Sequence, residues 1–253
     1  MVTNLKLLSE IKMVCHWSKR TYGSTRITRE LGQRSIMVSG QRVARPMKKE
    51  NIGGIVKKKF KVTTGSEHKY AIAENRLGRN FKPGTTGRIW VSDITYIKTK
   101  QGWLYLTTLI DIGDRKVIGW SLGSTMKATE TVIPAFKMAQ KNRPIIRELL
   151  FHSDRGVQYA CNEFKHLLDK NPLLTRSMSR KGNCWDNAVA ESFFKTLKAE
   201  CVYQNRFETK HQAALSVFEY IEIWYNRQRL HSALGYMSPQ NFEKQLNKQI
   251  IAA

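Results

Sequence analysis

From Ile89 onward short apolar runs alternate with turn residues, and the spacing predicts strands. Ile89 to Lys98 is the first, Trp103 to Ile110 the second and Val117 to Ser121 the third, with turns at Gly102 and Gly113-Asp114. A helix follows over roughly Lys127 to Gln140, where Pro134 is a local conflict that a kink would absorb. Leu149 to His152 reads as a fourth strand and Leu173 to Met178 as a fifth. Between them, Tyr159 to Leu168 is amphipathic, with Phe164 and Leu167 or Leu168 inward. Asp186 to Tyr203 and Gln212 to Trp224 carry the strong helical patterns near the end. Hairpin-connected strands followed by alternating helices and strands predict an α/β unit with a mixed sheet.

Before Ile89 the pattern differs. Leu5, Leu8, Ile11, Val14 and Cys15 recur at helical spacing. Tyr22-Gly23-Ser24 reads as a turn with Ser24 as N-cap of a short helix from Thr25 to Leu31. Ser39 caps a third helix through Val43 and Ala44 toward Met47, which Pro46 is expected to shorten or kink. Arg26, Arg29, Arg42 and Arg45 face outward, giving a helix-turn-helix-like outline and candidate DNA contacts. Residues 50–88 lack periodicity and read as an extended connector, in which Lys57, Lys58 and Lys59 are candidate phosphate contacts. The expected division is a basic helical module over 1–49, a basic linker over 50–87, a larger core with C-terminal helices over 88–245, and a tail over 246–253.

Charge sharpens this division. The chain has 43 Lys and Arg against 20 acids, a net charge of +23, which favours polyanions such as nucleic acid. The first 89 residues hold 20 basic and 5 acidic side chains, so most of the excess lies in the smaller part. The apolar runs are too short to span a membrane, and the N-terminus lacks a signal-peptide pattern. Four cysteines without metal-ligand spacing argue against a zinc module and fit reduced thiols in the cytoplasm.

Against this background three acids stand out. Asp93 lies inside the first strand, Asp154 closes the fourth, and Glu191 sits within a helix. A carboxylate in a central strand is costly unless it has a partner, and Mg2+ or Mn2+ provides one. Arg155 and Gly156 follow Asp154 at once. Asn187, Glu191, Lys195 and Lys198 share one helix face, placing two ammonium groups beside a ligand, while Ala190, Phe194, Leu197 and Cys201 form an apolar stripe. Trp185 is a candidate for base stacking or for core packing. His152 is expected to shape the pocket, and His231 to bond locally or meet phosphate.

These segments resemble the DDE transposases of bacterial insertion sequences, in the group encoded by two overlapping reading frames, and specifically the second-frame product. Tyr22-Gly23-Ser24-Thr25-Arg26-Ile27 and Val43-Ala44-Arg45 resemble its N-terminal module. Trp90 to Ile97, Gly102 to Leu106 and Ile110-Asp111 resemble the first catalytic motif, and His152 to Tyr159 the second. Ser177 to Ala188, reaching Glu191 to Phe194, is similar to the third. Tyr225-Asn226, Arg229, His231 to Tyr236 and Ser238-Pro239 resemble the C-terminal signature.

The resemblance implies a ribonuclease-H-like, retroviral-integrase-like core in which Asp93, Asp154 and Glu191 bind two Mg2+ or Mn2+ ions. It implies cleavage and strand transfer at insertion-sequence ends, with no covalent protein–DNA intermediate. Lys198 matches a basic position that contacts DNA, and Lys195, Arg155, Arg180 and Lys181 lie in or beside the motifs as further candidate contacts. The implied partners are double-stranded DNA with terminal inverted repeats, target DNA, further copies of the chain, and an upstream-frame protein or fused region. The expected location is the cytoplasm, at the nucleoid of a bacterium.

Three departures from the family pattern stand out. The second and third acids have 36 residues between them, one more than usual, with the addition expected near Asn171 to Leu174. Pro46 replaces an apolar helix residue, and the first-frame region is absent. A catalytically incomplete regulator of the full transposase is the alternative reading. A ribonuclease H shares the expected sheet but not the basic N-terminal region or the last motif.

Overall fold

The structure, a computed structural model, describes residues 3–55 and 70–251. Lys57, Lys58 and Lys59 lie outside the described residues. The chain divides into two compact units, Met1–Lys59 and Phe60–Ala253.

The first unit contains α1 (Asn4–Trp17), α2 (Ser24–Gln33) and α3 (Gly40–Lys49). Thr3 caps α1 by accepting from the Lys6 N–H. The face α1 buries is Leu7, Ile11, Val14 and Cys15, whereas Leu5, expected inside, is 83% exposed. The cap of α2 is Gly23 in extended conformation, and Ser24 is already helical, one residue later than its expected role. Ser39 does cap α3, accepting from the Arg42 N–H. Pro46 does not end that helix, which continues to Lys49. The missing N–H removes one bond to the first turn, and Val43 and Met47, both buried, hold the segment in place.

The second unit is built on a five-stranded sheet in the order β3-β2-β1-β4-β5. Strands β1 (Ile89–Thr99), β2 (Gly102–Asp111) and β3 (Val117–Gly123) form an antiparallel meander. Strands β4 (Leu149–Ser153) and β5 (Leu174–Met178) add in parallel beside β1. The crossover helix α4 (Val132–Asn142) presses so closely on β3 that a Cβ at Gly119 would lie 2.3 Å from the Ala135 carbonyl oxygen. Pro134 falls in the first turn of this helix, where its N–H is not needed, so no kink is required. The helix starts later than its sequence pattern suggests, at Val132 rather than Lys127.

The segment read as one amphipathic helix is two, α5 (Val157–Ala160) and α6 (Asn162–Asp169), separated by Cys161 in extended conformation. Trp90, Phe136, Phe151, Tyr159 and Phe164 form the aromatic centre of the core between sheet and helices. Beyond β5, a 3-10 turn (Cys184–Asn187) leads into α7 (Ala188–Glu200), which buries Ala190, Phe193, Phe194 and Leu197. Next come α8 (Lys210–Phe218), a π-helical segment (Glu219–Tyr225) in place of the regular helix expected to Trp224, and α9 (Pro239–Ile251). Helix α9 carries the chain past 245 without a break and anchors through Glu243, which pairs with Lys116 and Arg143.

Residues 70–88 contain no helix or strand, yet they are fastened to the core. Asn75 and Arg79 donate to Asp186, the Arg76 N–H donates to Ser177 Oγ, and Leu77 is buried. The Gly87 N–H donates to Asp111 Oδ2 at 2.6 Å. Their local sequence looks like a connector because the bonds that hold them lie far along the chain. Among the described residues no helix is long and apolar enough to cross a membrane.

Candidate active site

Strands β1 and β4 are neighbours, and their parallel register pairs Val91 with His152. Asp93 and Asp154 therefore lie two residues beyond one aligned pair, at the end where β4 gives way to a loop. Helix α7 is fastened across this end by Asn187, whose Nδ2 donates to the Ser92 carbonyl at 2.9 Å. That bond fixes the start of the helix one residue from Asp93 and brings Glu191 and Lys198 toward the same carboxylate.

Burial pushes the Asp93 carboxyl well above the usual range, and the negative charges of Asp154 and Glu191 push it further. The Ile94 N–H, donated to Asp93 Oδ1 at 2.8 Å, and the Lys198 ammonium oppose this shift. Asp154 Oδ1 accepts from the Gly156 N–H at 2.9 Å, so the turn after β4 orients the second carboxylate. Glu191 is also raised by burial, against the pull of Lys195, with which it pairs at 3.6 Å. Burial lowers the Lys198 ammonium, and Asp93 counteracts that effect. All the candidate ligand atoms are carboxylate oxygens, the hard donor type that Mg2+ and Mn2+ prefer. The negative charges that raise Asp93 are those a divalent cation would neutralise. Among the described residues, no three His, Cys, Asp or Glu side chains already stand close enough to hold a metal.

The expected basic contacts have different surroundings. Lys195 is exposed on the Glu191 face, and Lys181 is exposed in the turn before α7. The Arg155 Nε donates to the Ser179 carbonyl at 2.6 Å. The Arg180 guanidinium grips Asp186 at 2.9 and 2.8 Å, so this side chain supports the loop that leads into α7. Asp186 is the centre that sequence reasoning missed. Arg180 above all, with Arg79, holds it well below the usual carboxylate range. An acid directly before Asn187 was the only local signal, and nothing nearby points to Arg79.

His152 is buried between Ser177 Oγ at 2.8 Å and Ser179 Oγ at 3.2 Å. Burial lowers it to about 4, so it is neutral near pH 7 and shapes the loop. The Nδ1 of His231 accepts locally, from the Ala233 N–H. Tyr159, also missed, shares a hydrogen bond with Ser92 Oγ at 2.8 Å beneath the acids. Trp185 is 68% exposed and packs in no core. In the other unit, Arg29 and Arg45 are exposed, Arg42 is half-buried, and Arg26 lies 5.7 Å from the centre of the Tyr22 ring.

Comparison with known proteins agrees with this geometry. The integrase core domain family matches residues 85–184 and, in a second part, 191–246. An HTH-like domain family matches residues 3–60. The transposase for insertion sequence element IS904 of Lactococcus lactis is 39% identical over 249 residues, covering 94% of each chain. The chain belongs to the insertion-sequence transposases with an integrase core. Its activity is metal-dependent polynucleotidyl transfer on DNA.

Transposase InsF for insertion sequence IS3A of Escherichia coli is 38% identical, covering 89% of this chain and 78% of its own. An uncharacterized 31 kDa protein of insertion element IS600 from Shigella sonnei is 39% identical, with coverages of 96% and 89%. In fold, this transposase is similar to a chain of the simian T-cell lymphotropic virus intasome, at a TM-score of 0.51 and 13% identity, covering 92% of this chain and 73% of that one.

Proposed function

We propose that Asp93, Asp154 and Glu191 are the catalytic ligands of this transposase, and that it cuts and joins DNA at the ends of an insertion sequence. The observation that carries this reading is the convergence of three elements: Asp93 and Asp154 lie two residues past the paired Val91 and His152 of neighbouring strands, and Asn187 ties the helix of Glu191 to the Ser92 carbonyl. An acid raised by burial and by the negative charges of two others fits a structural role poorly and a cation site well. Two divalent ions, Mg2+ or Mn2+, would supply a deprotonated nucleophile and stabilise the leaving 3′-oxygen.

The residues do the rest. Asp93 is held by the rigid centre of the sheet, Asp154 by the Gly156 turn, and Glu191 by a helix tied to β1. Glu191, paired with Lys195 at 3.6 Å, would be the third ligand of the ions, and Lys195 beside it would be placed to meet phosphate. Lys198 places positive charge beside the bond to be broken. Water and a DNA 3′-hydroxyl can use the same ligands in turn, so hydrolysis and strand transfer need one site. Arg29, Arg45 and the first unit add contacts to the terminal repeat, and several copies of the chain assemble on the two ends and the target. Its place is the bacterial nucleoid.

The test is cleavage and joining of terminal-repeat DNA by the full chain, alone and with any upstream-frame partner. Asp93→Ala, Asp154→Ala and Glu191→Ala are each expected to lower Mg2+-dependent activity by at least ~10²–10³-fold while leaving most DNA binding, which phosphate contacts dominate. Undiminished activity in any one variant removes that residue from the set.

A further inference from the structure

Strand β4 pairs with β1 only at Ile89, Trp90 and Val91. The β1–β2 hairpin, in contrast, stays paired from Trp90 and Asp111 out to Thr99 and Gly102. Its outer half therefore projects past the end of β4, beyond the carboxylates. There Tyr96 stands opposite Tyr105, and Lys98 opposite Trp103. Directly opposed and alternate residues share a face, so these four side chains form a two-by-two block. The Tyr96 ring meets Tyr105 edge-on at 5.4 Å and 72°, and Trp103 at 6.3 Å and 80°. Trp103 nevertheless remains 50% exposed, and Lys98 beside it is exposed. Burial and the neighbouring Tyr105 raise the Tyr96 hydroxyl, and Asp154 and Asp93 add to that shift.

A half-exposed indole, braced by two tyrosines and flanked by an ammonium group, has the composition of a surface that stacks a base and holds its phosphate. Solvent exposure of the indole argues against a core role. The net charge of +23 and the adjacent carboxylates argue for DNA as the occupant. Along a strand rising about 3.4 Å per residue, Tyr96 is ~10 Å and Lys98 ~17 Å of rise beyond Asp93 and on the opposite face of β1, so a DNA strand would reach the block around the free end of β4. In a DNA strand these lengths correspond to roughly three to five nucleotides.

We propose that the outer end of the β1–β2 hairpin is a stacking platform for one unpaired base of the DNA strand, with Trp103 against the base and Lys98 at its phosphate. It rests on the carboxylate site proposed above. The platform gives the transposase a grip on the strand that flanks the cut bond and favours opening of the duplex there, because an extruded base regains on Trp103 the stacking it loses.

The test uses the full chain and terminal-repeat duplexes carrying 2-aminopurine at successive positions, roughly one to seven nucleotides from the cut bond, a window that brackets the estimate. One position, about three to five nucleotides away, is expected to change fluorescence on binding. Trp103→Ala should abolish that signal and weaken binding ~5- to 100-fold with an unchanged salt slope, whereas Trp103→Phe retains the signal. Lys98→Ala should reduce the salt slope by about one.

Silent reporters at every position, or unaltered binding by Trp103→Ala, overturn the platform. A change in oligomeric state of Trp103→Ala with silent reporters also overturns it, and marks the patch as an interface between copies. Mg2+-dependent cleavage of the same duplexes by the unaltered chain and by Asp93→Ala, with any upstream-frame partner present, separates the two readings. Undiminished cleavage by Asp93→Ala breaks the carboxylate assignment, and cleavage by the unaltered chain alone of the two, with silent reporters, breaks only the platform.

Discussion

Asp111 and Asp114, at the turn between β2 and β3, are fully buried and share Arg143, at 2.6 and 2.7 Å respectively. Glu243, from the last helix, completes that group with Arg143 and Lys116. Asp111 also accepts from the Gly87 and Gly113 N–H groups and the Trp90 indole. Asp93, in the neighbouring strand of the same sheet, has a different environment. The charges that act on it are chiefly negative, from Asp154 and Glu191, with Lys198 opposing. One group of acids is closed by cations and N–H donors that the fold supplies. The other is left with a surplus of negative charge. The first group holds the structure together, and the second has the charge balance that the proposed cation site requires.

The largest effect expected from breaking this contrast lies on the closed side. Arg143→Met leaves Asp111 and Asp114 buried without their cation and should cost about 3–5 kcal/mol in chemical denaturation. A loss below about 1 kcal/mol would show that other donors suffice for these acids.

On the open side the sign reverses. Asp93→Asn removes a half-buried, repelled charge and should raise Tm by roughly 2–4 °C in the absence of divalent metal. Added Mg2+ should stabilise the unaltered chain and not this variant. A lower Tm for Asp93→Asn would place Asp93 among the structural acids.

Lys198 offers a smaller test, because it is the cation that acts on Asp93, while Lys195 pairs with Glu191. Lys198→Ala should weaken DNA binding and reduce the salt slope by about one, measured by titration over a salt series. An unchanged slope would confine this lysine to electrostatic balance within the protein.

The smallest effect is a pH dependence in the closed group. Burial pushes the Glu243 carboxyl up, but Lys116 and Arg143 outweigh it and hold the group below its ordinary 4.5. Its contribution is therefore complete above the unfolded value and fades as pH falls through the lower folded value. Comparing unfolding at pH 7 and near pH 3, Glu243→Gln should flatten the loss on acidification by up to about 1 kcal/mol. Equal acid sensitivity with and without Glu243 would remove it from the network.

The five strands were legible because alternation and apolar runs depend on local sequence. The three acids stood out from their settings and from the motifs around them, and their role as ligands is the reading proposed above. Pro134 and Pro46 misled because a proline's effect depends on its place within a helix and on what that helix buries. Leu5 and Ser24 misled for a related reason, since a stripe or cap shifted by a residue or two leaves almost the same local pattern.

Tertiary structure decided the pairings. Arg180 belongs to Asp186, Arg79 crosses from an apparent linker to the same acid, and Glu243 returns from the last helix to Arg143. It also decided that Trp185 is exposed and that Tyr96, Tyr105 and Trp103 meet on one face. Strand and helix preferences arise from interactions among near neighbours in sequence. The compensation of a charge depends on which distant groups the fold brings within a few ångströms, because buried electrostatic forces act through space rather than along the chain.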